Sequence, residues 1–567
     1  MTDMHPTPAG TFDAIIVGSG ASGGMAAREL TRKGLRVLVL ERGHHVEHGT
    51  DYVGEDKNPW EFKFRGLNDR QHVKARQPIQ GTSASFEEGS SQFWVDDIDY
   101  PYDQSPDAPF SWIRGHHTGG RSITWGRATP RLSALNFEEP GQDGHGVDWP
   151  IRYPDIAPWY SYAERYIGVS GEMAGNANVP DGELLPPMPL NCVEQHVRDV
   201  IRAQFPGRTL MPERSSVLSV DHNDRPACHY CGPCYRGCST ASYYSSIGVS
   251  LPEAQATGRM TLIDNAIVAG VDYDPATRRA TGVRVIDAVT RERRFYAAKL
   301  IFLNASTVGT AQILLLSKSD AFPNGLANRS DQVGRNLMDH VYGAAVTARF
   351  SGFDQERPIG NRPINVYVPR FRNVDGDKAP FLRGYGYQGR AWRDIWNRGE
   401  ETPLVGAALK AELRKPGPWY MRLGGFGDCL PMPDNRVTLH PTKTDQWGLP
   451  QVSIAFVRGP NDLAIARDSA IQAAAMLKAA GGEIIYYKDT PGPGGLAIHE
   501  QGTARMGRDP ATSVLNAHNQ AHDIPNLFVT DGACMASTGA ANPTLTYLAL
   551  TARACDYAVQ QMAQHSI

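Results

Sequence analysis

Four of the chain's eight cysteines fall within eleven residues, as Cys228, Cys231, Cys234 and Cys238 in CHYCGPCYRGC. A C-x2-C-x2-C-x3-C run is the ligand spacing of bacterial ferredoxins, although Ser239 follows here where those proteins carry proline. Thiolates this close together can wrap a single iron–sulfur cluster. The competing metal, zinc, usually takes two separated CxxC pairs. Covalent c-type haem needs CxxCH, and no histidine follows either CxxC. Cys192, Cys429, Cys534 and Cys555 are scattered and read as small buried hydrophobes.

A second chemistry is written near the N-terminus. Residues 12–17, FDAIIV, form a short apolar run. Gly18-Ser19-Gly20-Ala21-Ser22-Gly23 follows at once, before a helix-like stretch from Gly24 to Leu30. This is strand, tight turn and helix. Gly18 permits the turn, Gly20 lets backbone approach a pyrophosphate, and Gly23 lets the helix pack close to the strand, with Ala21 and Ser22 opening the helix toward the phosphates. Residues 35–40, LRVLVL, suit a second buried strand. Glu41 closes it 23 residues after Gly18, where a carboxylate can accept from ribose hydroxyls, and Arg42 follows. The pattern reads as dinucleotide binding, with FAD favoured over NAD.

The elements around these sites must fill 567 residues, more than one core, so two interleaved or successive domains are expected. Hydrophobic residues at 41% and charged residues at 21% are ordinary for a globular chain, and a net charge of −3 gives no pull toward nucleic acid or an anionic membrane. The first ten residues carry no basic run followed by an apolar stretch, and no apolar stretch is long enough to span a bilayer. Taken alone, the chain reads as made and folded in the cytoplasm, with no direct membrane span. Residues 259–305 hold the β-like runs MTLIDNAIVAGVDY, ATGVRVID and KLIFLNAS, divided by polar turns, as where a discontinuous nucleotide domain resumes. Residues 351–450 are rich in Pro, Gly, Arg and Trp, which suits strands and loops around a pocket. There are no repeats and no low-complexity segment.

Four further motifs stand in order. They are 119–126, GGRSITWG; 331–340, DQVGRNLMDH; 499–507, HEQGTARMG; and 525–547, PNLFVTDGACMASTGAANPTLTY. Together they resemble the glucose–methanol–choline (GMC) oxidoreductase family, from residue 12 to about residue 555. Segments 36–62 and 147–160 look most like the catalytic subunits of bacterial glucoside 3-dehydrogenases, within a group that includes gluconate 2-dehydrogenase and the FAD glucose and fructose dehydrogenases.

The resemblance implies an α/β fold: a discontinuous Rossmann-like FAD-binding domain plus an α+β substrate domain with a mostly antiparallel sheet. Residues 1–345 would be mainly FAD-binding, with an iron–sulfur insertion at about 220–245 and cap or substrate contributions at about 130–220. Residues 346–494 would bind substrate, and 495–567 would return to the FAD domain carrying the catalytic pair. In that pair His499 is the base and Asn542 holds the substrate oxygen, for hydride transfer to flavin N5. The FAD contacts implied are Gly119, Gly120, Ser122, Thr124 and Trp125 in the second glycine turn. Ile267 and Val268 follow, and then Asp531 and Gly532 in the late turn. Asn542, Pro543 and Thr544 come at a helix start. Some relatives attach FAD through a histidine where Thr124 stands, so noncovalent FAD is expected, with His116 and His117 as neighbours.

A cluster argues for electrons leaving singly. The resemblance favours [3Fe–4S] on Cys228, Cys234 and Cys238 over [4Fe–4S] with Cys231 added. It also implies a small subunit with a twin-arginine signal, a cytochrome c acceptor and a periplasmic enzyme exported folded, against the alternative of a cytoplasmic life. The expected substrate is the 3-hydroxyl of a glucoside or disaccharide, with Trp392, Trp396, Trp419 and Tyr385 as candidate stacking rings. The runner-up substrate is gluconate or another sugar acid or polyol, which asks for a cationic clamp such as Arg383, Arg390 or Arg393. A sugar oxidase using oxygen is the other alternative.

Overall fold

The computed structural model describes residues 5–6, 12–358, 360–394, 398–399 and 402–567, so Trp396 lies outside the described residues. Three short apolar runs build the core of the first sheet. β1 (Phe12–Val17), β2 (Val37–Leu40) and β3 (Met260–Ile263) lie parallel, with β2 in the middle. All four residues of β2 are buried, as expected of a strand covered on both faces. The glycine-rich turn after β1 opens α1 (Ala21–Arg32), which begins earlier than the apolar pattern alone suggests.

The apolar stretch from residue 260 to 273 divides at Asp264 and Asn265, where Asn265 has a positive φ of 52°. Beyond that corner β4 (Ala266–Asp274) and β5 (Arg279–Asp287) form an antiparallel hairpin. β6 (Arg293–Leu303) then belongs to two neighbourhoods. Its first half pairs antiparallel with β5, and its second half lies parallel between β1 and the late strand Leu527–Val529. One sheet of eight strands results, drawing on both ends of the chain.

A six-stranded sheet faces the other half. Its main strands are β7 (Ala345–Phe350), β8 (Val366–Val368), β9 (Tyr385–Arg393), β10 (Trp419–Gly427) and β11 (Glu483–Lys488). They run in the order β11-β7-β10-β9-β8, all antiparallel, with Met211–Pro212 added at the β8 edge. α2 (Pro460–Ala479) covers one face with Ile465, Ala466, Ser469, Ala470, Ala473, Met476 and Leu477, a stripe at helical spacing. Gly425 of β10 permits that approach, because a Cβ there would lie 2.5 Å from the Ser469 hydroxyl. The last helix, α3 (Thr544–Ala563), returns to pack on α1.

Where β6 changes partners, the side chain of Asn526 closes the gap. Its Nδ2 donates to the carbonyls of Ala280 and Lys299, each at 2.7 Å, and its Oδ1 accepts from the Ala280 amide at 2.9 Å. Asn526→Ala leaves these buried groups unpaired. The expected loss is about 2 kcal/mol, read as a lower denaturation midpoint; an unchanged midpoint would show that the junction holds without it.

Candidate active site

The two glycine turns of the sequence meet. Gly120 packs against Gly20, and the Gly119 amide donates to Ser19 Oγ at 3.0 Å. Ser246, which the sequence did not single out, fastens both, donating to Ser19 O at 2.7 Å and lying 3.2 Å from Gly119 O. Ser122 turns inward to Gly119 O at 2.6 Å and lies 3.1 Å from the Ser246 hydroxyl. Glu41 accepts from Ser19 through one oxygen and from the Gly43 amide through the other; burial pushes its carboxyl up.

These residues fit a dinucleotide. Gly20 caps α1 with no side chain, and no acid stands in the first turn, so the first amides of the helix are free for a phosphate. Open space lies beside the Gly20 Cα. At Gly23 a Cβ would meet the Gly18 carbonyl oxygen at 1.9 Å, so only glycine lets the helix leave the strand there.

The other expected contacts are placed as follows. Arg42 sits between the rings of Tyr100 and Trp447, at 5.8 and 5.5 Å, facing Asp445. Ile267 packs with Ile286 and Trp447, whereas Val268 turns into the main core. Thr124 is buried, and Trp125 Nε1 donates to Tyr244 O at 2.9 Å. Asp531 is tied to Thr310 and to the Ala533 amide, and Gly532 lies against Glu500 O. Pro543 caps α3 immediately after Asn542, and Thr544 is its first residue. His117 is buried and His116 half-buried, each with one buried ring nitrogen lacking a hydrogen-bond partner.

His499 and Asn542 are brought together: Asn542 Nδ2 lies 3.4 Å from His499 Nε2. The residue before the histidine, Ile498, has φ +61°, which is strained for a β-branched residue. Two backbone bridges hold this loop in place, Met338 with Gln501 and Val341 with Gly427 at the end of β10. Asp339 accepts from the amides of Ala497 and His499, each at 3.2 Å, and Arg458 crosses to its carboxylate and carbonyl. Burial pushes the Asp339 carboxyl up to about 6, against the pull of Arg458.

His340 completes the group, and sequence reasoning missed it although it ends the quoted 331–340 turn. Its Nε2 lies 3.0 Å from the Gly539 carbonyl oxygen, which can only accept, so Nε2 carries the proton. Burial holds its pKa down to about 3, so the ring is neutral and Nδ1 is an acceptor. The partner at 3.1 Å, His499 Nδ1, must therefore donate. His499 is itself held well below 6.5 by burial and by His340, which leaves Nε2 as a bare lone pair beside Asn542. The Asn542 amide is oriented in turn by Gln388, whose Nε2 donates to Asn542 Oδ1 at 2.5 Å. Phe426 packs on both imidazoles, at 5.1 and 5.2 Å; His340 is fully buried and His499 half-buried. The arrangement can take one proton at Nε2 and donate one hydrogen bond from the amide.

The cysteine segment lies beside Trp125. Cys228, Cys234 and Cys238 pack around Met188, Val217, Tyr243 and Ile364, and Cys231 is exposed. Burial pushes the Cys228 thiol up to about 11. Among the described residues no group of three or more His, Cys, Asp or Glu stands close enough to hold a metal ion.

The candidate stacking rings need correction. Tyr385 and Trp419 are buried; Tyr385 turns toward α2, donating to Asp468 at 2.5 Å, and Trp419 donates to Phe353 O. Two of the three candidate clamp arginines are also occupied. Arg383 is held by Asp143 and Asp428, and Arg393 by the carbonyls of Gly417, Asp354 and Glu356. Period-two alternation marks two faces of a strand but does not say which one meets a helix.

The proton positions can be read directly. Histidine nitrogen-15 spectra are expected to show His499 neutral with its proton on Nδ1, His340 neutral with its proton on Nε2, and no titration of His499 at or above pH 6.5. A His499 that charges at pH 6.5 or above breaks the chain of donors.

Two family models, both described as GMC oxidoreductase, match residues 12–342 and 431–551. The chain is 28% identical to 2-methyl-1,2-propanediol dehydrogenase of Mycolicibacterium austroafricanum, over 97% of this chain and 96% of that one. It is 27% identical to the fructose dehydrogenase large subunit of Gluconobacter japonicus, over 97% and 98%. The crystal structure of pyridoxine 4-oxidase from Mesorbium loti superposes with a TM-score of 0.61 at 17% identity, over 96% of this chain and 98% of that one, which shows the fold. With one family model covering more than half its length, the chain belongs to the GMC oxidoreductases and is an FAD-dependent oxidoreductase of alcohol- and sugar-type CH–OH donors.

Proposed function

We propose that the protein is a dehydrogenase that oxidises a secondary hydroxyl of a sugar, the C3 hydroxyl of a glucoside or disaccharide, to the 3-keto sugar. The observation that carries the chemistry is the unprotonated His499 Nε2 beside Asn542. FAD, when bound in the cradle of Gly18–Gly23, Glu41 and the 119–125 turn, supplies the hydride acceptor. His499 Nε2 takes the hydroxyl proton, and the positive charge that appears on its ring is steadied by the Nδ1 hydrogen bond to His340. Asn542 Nδ2 donates to the substrate oxygen as it gains negative charge. The segments resembling glucoside 3-dehydrogenases support the sugar and the position; gluconate, a polyol or an oxygen-using sugar oxidase is the reading to displace.

The cysteine spacing supports an iron–sulfur cluster on Cys228, Cys234 and Cys238. Among the described residues these thiols form no group of three that could hold a metal ion. With a cluster, electrons would pass to a cytochrome c. The relative named as a large subunit supports a smaller partner, and with it periplasmic placement by export of a folded complex. No helix among the described residues is long and apolar enough to cross a membrane.

Anaerobic mixing of the holoenzyme with methyl glucoside, cellobiose and gluconate tests the reading: a glucoside should bleach the flavin and give a 3-keto product. Bleaching by gluconate alone moves the sugar acid ahead. Iron and sulfide analysis of the purified protein decides the cluster, which is lost if neither element is found.

His499→Ala is expected to retain FAD and slow flavin reduction by roughly 10²–10⁴-fold. His340→Phe keeps a ring against Phe426 but removes the acceptor, so kcat should fall and the acid limb of kcat/KM should move. In the wild type that limb lies below pH 6.5, since activity is lost only as pH falls through the depressed pKa of His499. An unmoved limb in His340→Phe would leave that residue a packing role only.

A further inference from the structure

We infer that Arg390 and Arg422 form an anion subsite on the substrate face of the antiparallel sheet, taking a carboxylate or phosphate that the substrate carries beyond its reacting ring. This rests on the glycoside reading and extends it to an acidic class of glycosides.

The faces of the sheet are fixed by contacts. Tyr385, Tyr387 and Gly425 meet α2, through Asp468 and Ser469. By alternation Gln388, Arg390, Arg422 and Phe426 lie on the opposite face, and that face meets the catalytic pair, through Gln388 on Asn542 and Phe426 on His499. Arg390 pairs directly with Arg422 across β9 and β10, one row beyond the row of Gln388 and Gly424. Two residues of strand place the arginine row roughly 7 Å from the Gln388 row, with the side chains free to lean either way.

Two like charges directly opposite on a sheet repel each other, and no carboxylate among the described residues relieves them. Neither guanidinium has an ion pair or hydrogen bond among the described residues, and both residues are exposed. Arg422 lies 5.3 Å from the Tyr486 ring and close enough to Tyr342 to act on its phenol. Tyr342 packs on Phe426 at 5.2 Å, so an unbroken line of rings leads from the arginine row to His499. Glu483, in the next row on this face, is taken by Arg349 at 2.6 Å, and Glu213 is engaged by Asn365 and feels Arg127 and Arg362. The other arginines of this region that could have served are occupied, as shown for Arg383 and Arg393. Opposed side chains with Cβ atoms about 5 Å apart can close on one anion from two sides, and guanidinium suits carboxylate and phosphate equally.

The test compares phenyl glucoside with its 4-carboxy and 4-phosphate derivatives, by anaerobic flavin reduction and by calorimetric binding of benzoate and phenyl phosphate to the oxidised holoenzyme. The wild type should favour an acidic glycoside over the neutral one by about tenfold or more in kcat/KM, and which acid is preferred names the group. In Arg390→Gln and Arg422→Gln that ratio should collapse toward one, with Arg422→Lys restoring part of it, while FAD content confirms folding. Equal kcat/KM for the neutral and acidic glycosides in the wild type overturns the subsite. So does anion binding that survives when Arg390→Gln and Arg422→Gln are combined in one chain. If no glycoside reduces the flavin yet the anions bind and the arginine variants abolish binding, the subsite stands and the glycoside reading falls.

Discussion

A single carbonyl governs the chemistry of this site. Gly539 O can accept but never donate, so the His340 ring beside it must carry its proton on Nε2 and the next imidazole must carry its own on Nδ1. The base is thereby left with its lone pair toward Asn542. Before substrate arrives the relay is set by both rings being neutral, and burial favours that, since an imidazolium here would lose hydration without a carboxylate to replace it. Asp339 stands near but spends its oxygens on backbone amides and Arg458, so it fixes the loop without charging the histidines.

Everything that positions the pair comes from far apart in the chain. The 336–341 loop and the 497–503 loop are bridged to each other and to the end of β10, and that strand also supplies Phe426. Strain at Ile498 is held because these bridges fix the backbone on both sides of it. The two sheets thus meet at the site, one offering the nucleotide cradle and the other a face of polar and cationic side chains. The second sheet is covered by α2 on one side, and its other side meets His499 and Asn542 through Phe426 and Gln388.

The sequence made the local parts legible. A strand, a glycine turn and a helix succeed each other within about twenty residues at Gly18–Gly23, and the physics of that unit is complete in itself. The α/β class and the antiparallel second sheet were likewise readable, one from buried apolar runs and the other by resemblance. What could not be read were pairings across long gaps. Nothing in the spacing joins His340 to His499, or Gln388 to Asn542, and no pattern shows that Ser246 fastens two turns. The aromatic candidates failed for a related reason. Tyr385 alternates as a pocket residue would, but α2 lies more than seventy residues downstream and decides which face is covered.

The cysteine segment poses an electrostatic question that links it to the rest. Arg127 is buried beside it with a positive φ of 65°, donating to the carbonyls of Trp125 and Cys234 and lying near the rings of Tyr235 and Tyr243. It has no ion pair among the described residues, and the acid that feels it, Glu213, is pushed up to about 7 by its own burial. A guanidinium in such a place is costly unless negative charge lies close by. Of the cysteines, Cys234 is the one Arg127 meets, through its carbonyl, and burial pushes the Cys234 thiol up, so as a thiol it brings no charge to the guanidinium. Arg127 also donates to the carbonyl of Trp125, so a single side chain ties the cysteine segment to the second glycine turn and with it to the nucleotide side of the fold.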